Sequence, residues 1–147
     1  MARQSLTLHA TCVALAGKGI LIIGPSGSGK SALALQLIAL GAVLVADDRT
    51  IVTREGSALI ATCPASIEGL VEARGVGLLP VSHIAHVAVA LVIDLAQVEV
   101  DRLPQRHVFT VLDIDLACLH KVDAPYFPAA IHAYMHGSLK SRCDDRP

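Results

Sequence analysis

The sequence predicts an α/β domain built on a mixed β-sheet, and three observations lead to that prediction. Hydrophobic residues make up 53% of the 147 residues, while charged residues make up 17% and aromatic residues 3%, a composition typical of a buried aliphatic core. Short apolar runs bounded by turn residues predict strands. One glycine-rich loop joins an apolar strand to a run of good helix formers. The length suits one core, so residues 1–147 are expected to form a single domain with a frayed tail from residue 140.

The individual strands and helices are predicted from apolar runs and from the turn residues between them. Strands are predicted over residues 6–15, 20–23, 42–46, 51–53, 58–61, 87–95 and 108–112, and helices over 32–40 and 129–136. Gly17 and Gly56 are expected in hairpin turns, and Gly41 is expected to end the first helix. The run 42–46 is apolar throughout, which favours a buried parallel strand. Residues 70–80 contain two glycines two apart, and we expect a functional loop of irregular backbone there.

Composition also excludes several classes of function. A net charge of −1 gives no basic face, so no nucleic-acid partner is expected. The apolar runs are shorter than the roughly 20 residues that a membrane helix needs, and the N-terminus lacks the apolar stretch of a secretory signal. We therefore expect a cytoplasmic protein without a membrane partner. Its four cysteines contain no CxxC pair and are expected to be reduced thiols: Cys12, Cys63, Cys118 and Cys143.

The glycine-rich loop carries the clearest chemical signal. Its residues are Gly24, Pro25, Ser26, Gly27, Ser28, Gly29, Lys30 and Ser31. They match the phosphate-binding motif GxxxxGK[ST] at every fixed position, between a strand and a helix as that motif requires. In such a loop the glycines let backbone N–H groups face the phosphates, Lys30 reaches the outer phosphates and the Ser31 hydroxyl binds Mg²⁺. The sequence therefore predicts a site for ATP and Mg²⁺. Motifs typical of transporter ATPases and of GTPases are absent.

Further polar residues are candidates for the chemistry of phosphoryl transfer. Asp47 and Asp48 follow the strand after the loop helix, at the edge of the sheet where ligands bind. Transfer to a hydroxyl needs one carboxylate as a base and another to hold or orient the metal, and neighbouring residues of a strand face opposite sides. Glu72 and Arg74 share one side of an extended segment, suiting metal binding and charge stabilisation. A solvated turn and a surface ion pair are the alternatives for these two pairs.

The order of these residues resembles the catalytic domain of HPr kinase/phosphorylase, in the short form without the N-terminal domain, over roughly residues 6–112. The resemblance is carried by His9 on a strand, by Leu21-Ile22-Ile23 followed by the loop, by Leu44-Val45-Ala46-Asp47-Asp48-Arg49, by Glu72-Ala73-Arg74-Gly75-Val76-Gly77 and by Arg102-Leu103-Pro104. It implies a P-loop nucleotide-binding domain that uses ATP and Mg²⁺ to phosphorylate a serine of an HPr-type phosphocarrier protein. Many members also catalyse the reverse, phosphorylase reaction.

The resemblance also implies residue roles. Lys30 and the loop would hold the phosphates, and Ser31 and Glu72 would bind Mg²⁺. One of Asp47 and Asp48 would be the base in phosphorylation and the acid in the reverse step. The supporting catalytic positions would be His9, Arg74 and Arg102.

Two departures from the family pattern modify these expectations. The usual His-Gly is His9-Ala10 here, and a Pro-Gly-Arg-Asn segment linked to dephosphorylation is absent from residues 108–147. We expect the kinase reaction to be better preserved than the reverse reaction. Long members form hexamers, so a homo-oligomer is a further expectation.

Alternatives from other functional classes remain open at this point. They are a small-molecule kinase and a regulatory sensor that binds ATP without transfer. His132 and His136 are spaced for one helix face but lack a third metal ligand.

Overall fold

The computed structural model describes residues 4–137 of the chain. The predicted tail and Cys143 lie outside this range. The strands are β1 (Ser5–Leu8), β2 (Ala10–Leu15), β3 (Lys18–Ile23), β4 (Val43–Ala46), β5 (Thr50–Glu55), β6 (Ala58–Thr62), β7 (Leu70–Ala73), β8 (Gly77–Pro80), β9 (His86–Val98), β10 (His107–Val111) and β11 (Ile114–Lys121). The helices are α1 (Lys30–Ala39) and α2 (Phe127–His136), and a short 3₁₀ turn covers Ala65–Ile67.

The large sheet is mixed, as the sequence predicts. Its strands follow the order β1-β5-β6-β9-β3-β2-β4, and β11 joins β9 with β10 beyond it. The long strand β9 pairs with β6 near its start and with β11 further along, both on the same side. Strands β3, β9 and β11 are parallel, so their carboxyl ends reach the same edge of the sheet. We call this the upper edge.

The strand after the loop helix differs from its prediction. Among the strands, β4 pairs with β2, and this pairing is antiparallel, at one end of the sheet. Its parallel pairing is limited to one isolated bridge between Leu44 and His83. Because β2 is itself antiparallel to β3, β4 still runs in the direction of β3. The residues that follow β4 and those that precede β2 therefore also lie at the upper edge.

The first predicted strand, residues 6–15, is in fact two strands. Strand β1 pairs with β5, and β2 pairs with β3 and β4. The break is at His9, where the chain leaves one part of the curled sheet and enters another. Pattern alone could not show this break, because both halves have strand-forming residues.

Residues 70–80 form a hairpin rather than an irregular loop. Strands β7 and β8 pair with each other as a separate two-stranded sheet. Gly75 has a φ of +85° in the turn, and Gly77 has a φ of +136° where β8 begins. The two glycines therefore shape the hairpin turn. The prediction of an irregular loop was wrong because both glycines were taken as a sign of irregular backbone. Strand β11 was also missed.

Apolar residues fill both faces of the sheet. One cluster lies under α1 and α2 and includes Ile20, Ile22 and Leu37, all fully buried. The other includes Leu21 from β3 and Val52 from β5, so the β1-β5-β6 part covers the opposite face. Alternate residues of β3 thus face opposite cores, as the period of a strand requires.

Two hairpin turns lie together at the lower edge. The β10–β11 turn contains Leu112 and Asp113, with φ of +50° and +62°. Because β11 runs upward with β9, its start is at the lower edge. Arg54 donates from Nη1 to the Leu112 carbonyl at 2.9 Å and from Nε to the Gly56 carbonyl at 3.0 Å, which places the β5–β6 turn beside it.

Candidate active site

The glycine-rich loop occupies residues 24–29 between β3 and α1. Gly24, Gly27 and Gly29 all have positive φ angles, which side chains disfavour. A Cβ atom at Gly24 would lie 2.6 Å from the Ser28 Oγ and 3.1 Å from the Leu95 Cβ, whereas Gly27 and Gly29 face open space. The loop therefore packs tightly where it leaves the sheet and is open where a ligand would approach.

The start of α1 suits an anion. Gly29 caps the helix without a side-chain hydrogen bond, and the first turn contains no acidic residue, so the backbone N–H groups there lack a side-chain anion. The Ser28 hydroxyl is buried and has no hydrogen-bond partner within the described residues. Lys30 is buried, and its Nζ donates to the carbonyls of Gly24 at 3.0 Å and Pro25 at 3.1 Å. Positive charge is thus held at the loop.

Asp47 is the centre of a buried hydrogen-bond network. Its Oδ1 accepts from the Ser31 hydroxyl at 2.6 Å and the Thr11 hydroxyl at 2.9 Å, and its Oδ2 accepts from the Glu72 N–H at 2.9 Å. The residue is 6% exposed. Asp47 therefore joins the loop helix, β2 and β7 at one point.

Asp48 has a different environment from its neighbour. It has a φ of +70°, and its N–H donates to the Thr11 Oγ1 at 3.1 Å. Its carboxylate is exposed, lines the cleft and accepts from His9 Nε2 at 2.7 Å. The two neighbouring carboxylates are thus separated, one buried and one facing the cleft.

A cleft of about 670 Å³ lies beside the loop. Its lining consists of Ser26, Gly27, Gly29, Lys30, Ser31, Ala32, Leu35, Gln36, Ala39, Asp48, Glu72, Ala73 and Arg74. A smaller cavity of about 390 Å³ lies on the other side of the loop, between the start of α1 and the segment before α2. The cleft combines one lysine and one arginine with two carboxylates, a set that suits a phosphorylated ligand and a metal ion.

The structure brings most of the predicted residues together. His9, Lys30, Asp47 and Asp48 meet at the upper edge, and Glu72 and Arg74 reach it from β7 and the turn that follows. Arg102 is the exception: it is exposed in the segment between β9 and β10 and does not line the cleft.

Sequence reasoning missed Thr11. Its hydroxyl bridges the two aspartates, and the residue is fully buried. The available signal was a single hydroxyl within the apolar run of β2. Nearby Cys63 is not suited to be a nucleophile, because burial, together with the negative charges of Glu68 and Asp47, raises the pKa of its thiol.

Comparison with known proteins identifies the family. Residues 1–120 match the model of the HPr Serine kinase C-terminal domain. The chain belongs to this family. The HPr kinase C-terminal fold is also seen in the Hpr(Ser) kinase/phosphatase from Coxiella burnetii, which superposes with a TM-score of 0.77 at 26% identity and covers 88% of this chain and 93% of that chain.

Curated HPr kinase/phosphorylases match about half of this chain. The HPr kinase/phosphorylase of Mycoplasmopsis pulmonis is 40% identical over 78 residues, and that of Cupriavidus necator is 44% identical over 80 residues. These matches cover 53% and 54% of this chain but only 25% of each relative. The chain thus spans about a quarter of the length of the curated HPr kinases that it matches.

Within residues 4–137, no helix is both long enough and apolar enough to cross a membrane.

Proposed function

We propose that this chain is the catalytic core of an ATP- and Mg²⁺-dependent kinase that phosphorylates a serine of an HPr-type phosphocarrier protein. The observation that carries the proposal is the position of Asp48: its carboxylate lines the cleft beside the loop and accepts a hydrogen bond from His9. Membership of the HPr Serine kinase C-terminal domain family supports both the protein substrate and the serine, and so does the similarity to an Hpr(Ser) kinase/phosphatase.

The loop would hold the phosphates of ATP. The N–H groups at the start of α1 and the Lys30 ammonium supply positive potential, and Arg74 adds a second cation on the wall of the cleft. Charges and dipoles fixed in this way stabilise the charge on a transferring phosphoryl group. Asp47 fixes the orientation of the Ser31 side chain through the 2.6 Å hydrogen bond.

The residues present fit a magnesium ion. Ser31 and Glu72 line the cleft and offer a hydroxyl oxygen and a carboxylate, and the Asp47 carboxylate lies 2.6 Å from the Ser31 Oγ. Mg²⁺ is held in such sites by a few oxygens together with the nucleotide phosphates. When bound, the ion would neutralise charge on the phosphates and orient them. We assign Ser31 and Glu72 as its direct ligands, with Asp47 holding Ser31.

Asp48 would act as the base. It would take the proton of the substrate serine hydroxyl as the serine oxygen bonds to the terminal phosphorus and the bond from that phosphorus to ADP breaks. His9 donates to the same carboxylate and would fix its orientation. Asp47 is less suited to this step, because its two oxygens already accept three hydrogen bonds within the protein.

The reverse reaction, a homo-oligomer and a cytoplasmic location stay predictions. In the reverse reaction, an oxygen of inorganic phosphate would bond to the phosphorus of the phosphoserine while the bond from that phosphorus to the serine oxygen breaks. Asp48, protonated, would give its proton to the departing serine oxygen, and the products would be serine and pyrophosphate. Each of these can be tested once transfer in the forward direction has been measured.

The test is phosphate transfer from labelled ATP to a purified HPr-type protein, with the phosphorylated serine mapped by mass spectrometry. Lys30→Ala should abolish transfer, and Asp48→Asn should slow it by about 10² to 10⁴-fold while leaving ATP affinity nearly unchanged. Asp115→Asn is the matched control, since Asp115 is an exposed carboxylate on β11 that contacts Thr110 and lies away from the cleft. Wild-type rates in Asp48→Asn would refute its role as base. ATP binding without transfer to any carrier would favour a regulatory sensor, and transfer to a small molecule would favour a small-molecule kinase.

A further inference from the structure

Three metal-binding side chains meet outside the cleft, beside the ends of β9, β10 and β11. They are Glu99, His107 and His120, and their ligand atoms all lie within 4.8 Å of one another. All three residues are half-buried. We call this group the Glu-His-His cluster. None of its members has a part in the proposed phosphoryl transfer.

The strand register brings the two histidines together. His107 pairs with Cys118 across β10 and β11, so His107 and His120 are diagonal neighbours on one face of the sheet. Their rings stack with centroids 3.8 Å apart and planes 8° apart. The cluster is therefore built by regular sheet structure on the histidine side.

Backbone hydrogen bonds hold the glutamate in place. The Glu99 N–H donates to the Lys121 carbonyl at 2.8 Å, which fixes Glu99 beside the end of β11. Its Oε2 accepts from the N–H groups of Val100 and Asp101, each at 3.2 Å. Its Oε1 is 2.8 Å from His107 Nε2. The Glu99 side chain is only 9% exposed and that of His107 29%, so the carboxylate is oriented and largely withdrawn from water.

We propose that the Glu-His-His cluster binds one divalent transition-metal ion, with Zn²⁺ as the fitting ion. Two imidazole nitrogens and one carboxylate oxygen form a known donor set for zinc with an open fourth position for water. Imidazole ligands favour zinc over Mg²⁺, which prefers oxygen. Binding would replace the single proton shared between His107 Nε2 and Glu99 Oε1.

Binding requires the two imidazole rings to rotate out of their stack. A metal ion lies near the plane of each ring that binds it, and ring planes only 8° apart do not meet at the cluster. Ligand atoms about 2.0–2.1 Å from a tetrahedral zinc ion are about 3.3 Å apart. The contact of 2.8 Å between Glu99 and His107 must therefore lengthen by about 0.5 Å. Any other pair of ligand atoms, at separations of up to 4.8 Å, must reach the same spacing as the rings rotate.

An ion at the cluster would join both ends of the segment between β9 and β10. Glu99 is the first residue of this segment and His107 follows its last residue, while His120 would link both to β11. The segment contains Arg102, the one predicted catalytic residue that lies away from the cleft. Zinc would thus restrict the segment without touching the ATP site.

The first experiment is a calorimetric titration of the chelator-treated full chain with Zn²⁺ alone, without nucleotide. We expect one ion per chain, with affinity reduced more than about 100-fold in His107→Gln and in His120→Gln, since even loss of an outer partner costs 10–100-fold. The double variant His132→Gln/His136→Gln is the matched control: its two rings are 4.3 Å apart on α2, and no carboxylate joins them in a metal-binding group among the described residues. Glu72→Gln removes a carboxylate of the cleft. Both controls should bind as wild type does.

A second measurement uses the wild-type chain and does not depend on the folding of variants. Modification of histidines by diethyl pyrocarbonate, mapped by mass spectrometry, should be suppressed at His107 and His120 by Zn²⁺ and unchanged at His132 and His136. Absence of binding, binding that is lost in Glu72→Gln, or equal modification of His107 with and without Zn²⁺ would each overturn the proposal.

Discussion

Removal of the Asp47 carboxylate should destabilise the fold, in addition to any effect on catalysis. The carboxylate accepts hydrogen bonds from two hydroxyls and one backbone N–H in a site that is 6% exposed. In Asp47→Ala the hydroxyls of Thr11 and Ser31 can rotate toward other acceptors, but the Glu72 N–H cannot.

The expected magnitude follows from these contacts. Hydrogen bonds to a charged group contribute about 1.5–3 kcal/mol each, and an orphaned buried donor costs about 1–3 kcal/mol. Removing the carboxylate also removes the cost of burying its charge, which offsets part of the loss. We expect the free energy of unfolding to fall by about 2–4 kcal/mol in Asp47→Ala. Asp47→Asn should lose only about 1 kcal/mol, because its NH₂ group can donate to the two hydroxyls.

Urea unfolding without nucleotide measures this difference. With a slope of about 1–2 kcal/mol per molar urea, the midpoint should fall by about 2 M in Asp47→Ala. Asp48→Asn is the control: it keeps the shape of a residue at positive φ and changes only an exposed carboxylate, so its effect should be below about 0.5 kcal/mol. If Asp47→Ala unfolded at the same midpoint as Asp48→Asn, the buried network would not have the role described.

Three other predictions concern the loop, a buried thiol and the two arginines. Gly24→Ala places a methyl group 2.6 Å from the Ser28 hydroxyl oxygen, so calorimetry should show ATP binding weakened at least about tenfold. Gly41→Ala is the control: Gly41 has a φ of +109° and open space around it, so the substitution should lower stability by about 1 kcal/mol and leave ATP affinity unchanged. Burial raises the pKa of the Cys12 thiol to about 12. The thiol therefore stabilises the fold fully below its unfolded pKa near 9, and this contribution is lost as the pH rises toward 12, by up to about 1.4 kcal/mol per pH unit. In urea unfolding at pH 8, 9.5 and 11, the free energy of unfolding should fall less steeply with pH in Cys12→Ala than in the wild type. Arg74→Ala should weaken ATP binding about tenfold, while Arg102→Ala, away from the cleft, should leave the dissociation constant within twofold or so; equal losses in both variants would contradict the assignment.

Local signals were sufficient for much of the fold. The loop motif and the apolar runs predicted β3, α1 and most strands correctly, because each depends on residues close in sequence. Errors arose where pairing decides the structure. The division of residues 6–15 into two strands at His9 and the antiparallel pairing of β4 depend on which strands become neighbours. The alternation of apolar and polar residues along the sequence encodes neither.

The candidate site shows the same limit. The sequence located the two aspartates at one strand end and indicated that they face opposite sides, but it could not assign the separate roles of Asp47 and Asp48. Their difference depends on Thr11, 36 residues from Asp47 in sequence, and on His9, 39 residues from Asp48. A catalytic role for Arg102 was predicted from the family resemblance. Whether Arg102 reaches the cleft depends on how the segment after β9 folds, which the resemblance does not determine. Contacts between residues far apart in the chain cannot be predicted from the spacing of those residues in the sequence.

The two hairpin turns at the lower edge provide an attachment site away from the cleft. The β5–β6 turn and the β10–β11 turn are joined through Arg54, at the edge of the sheet opposite the loop that follows β3. A dye or a biotin attached to a single cysteine introduced in the β5–β6 turn would leave the cleft turned away from the attachment point. A chain immobilised in this way would present its upper edge to solution, so that arrival and departure of a carrier protein could be followed on single molecules.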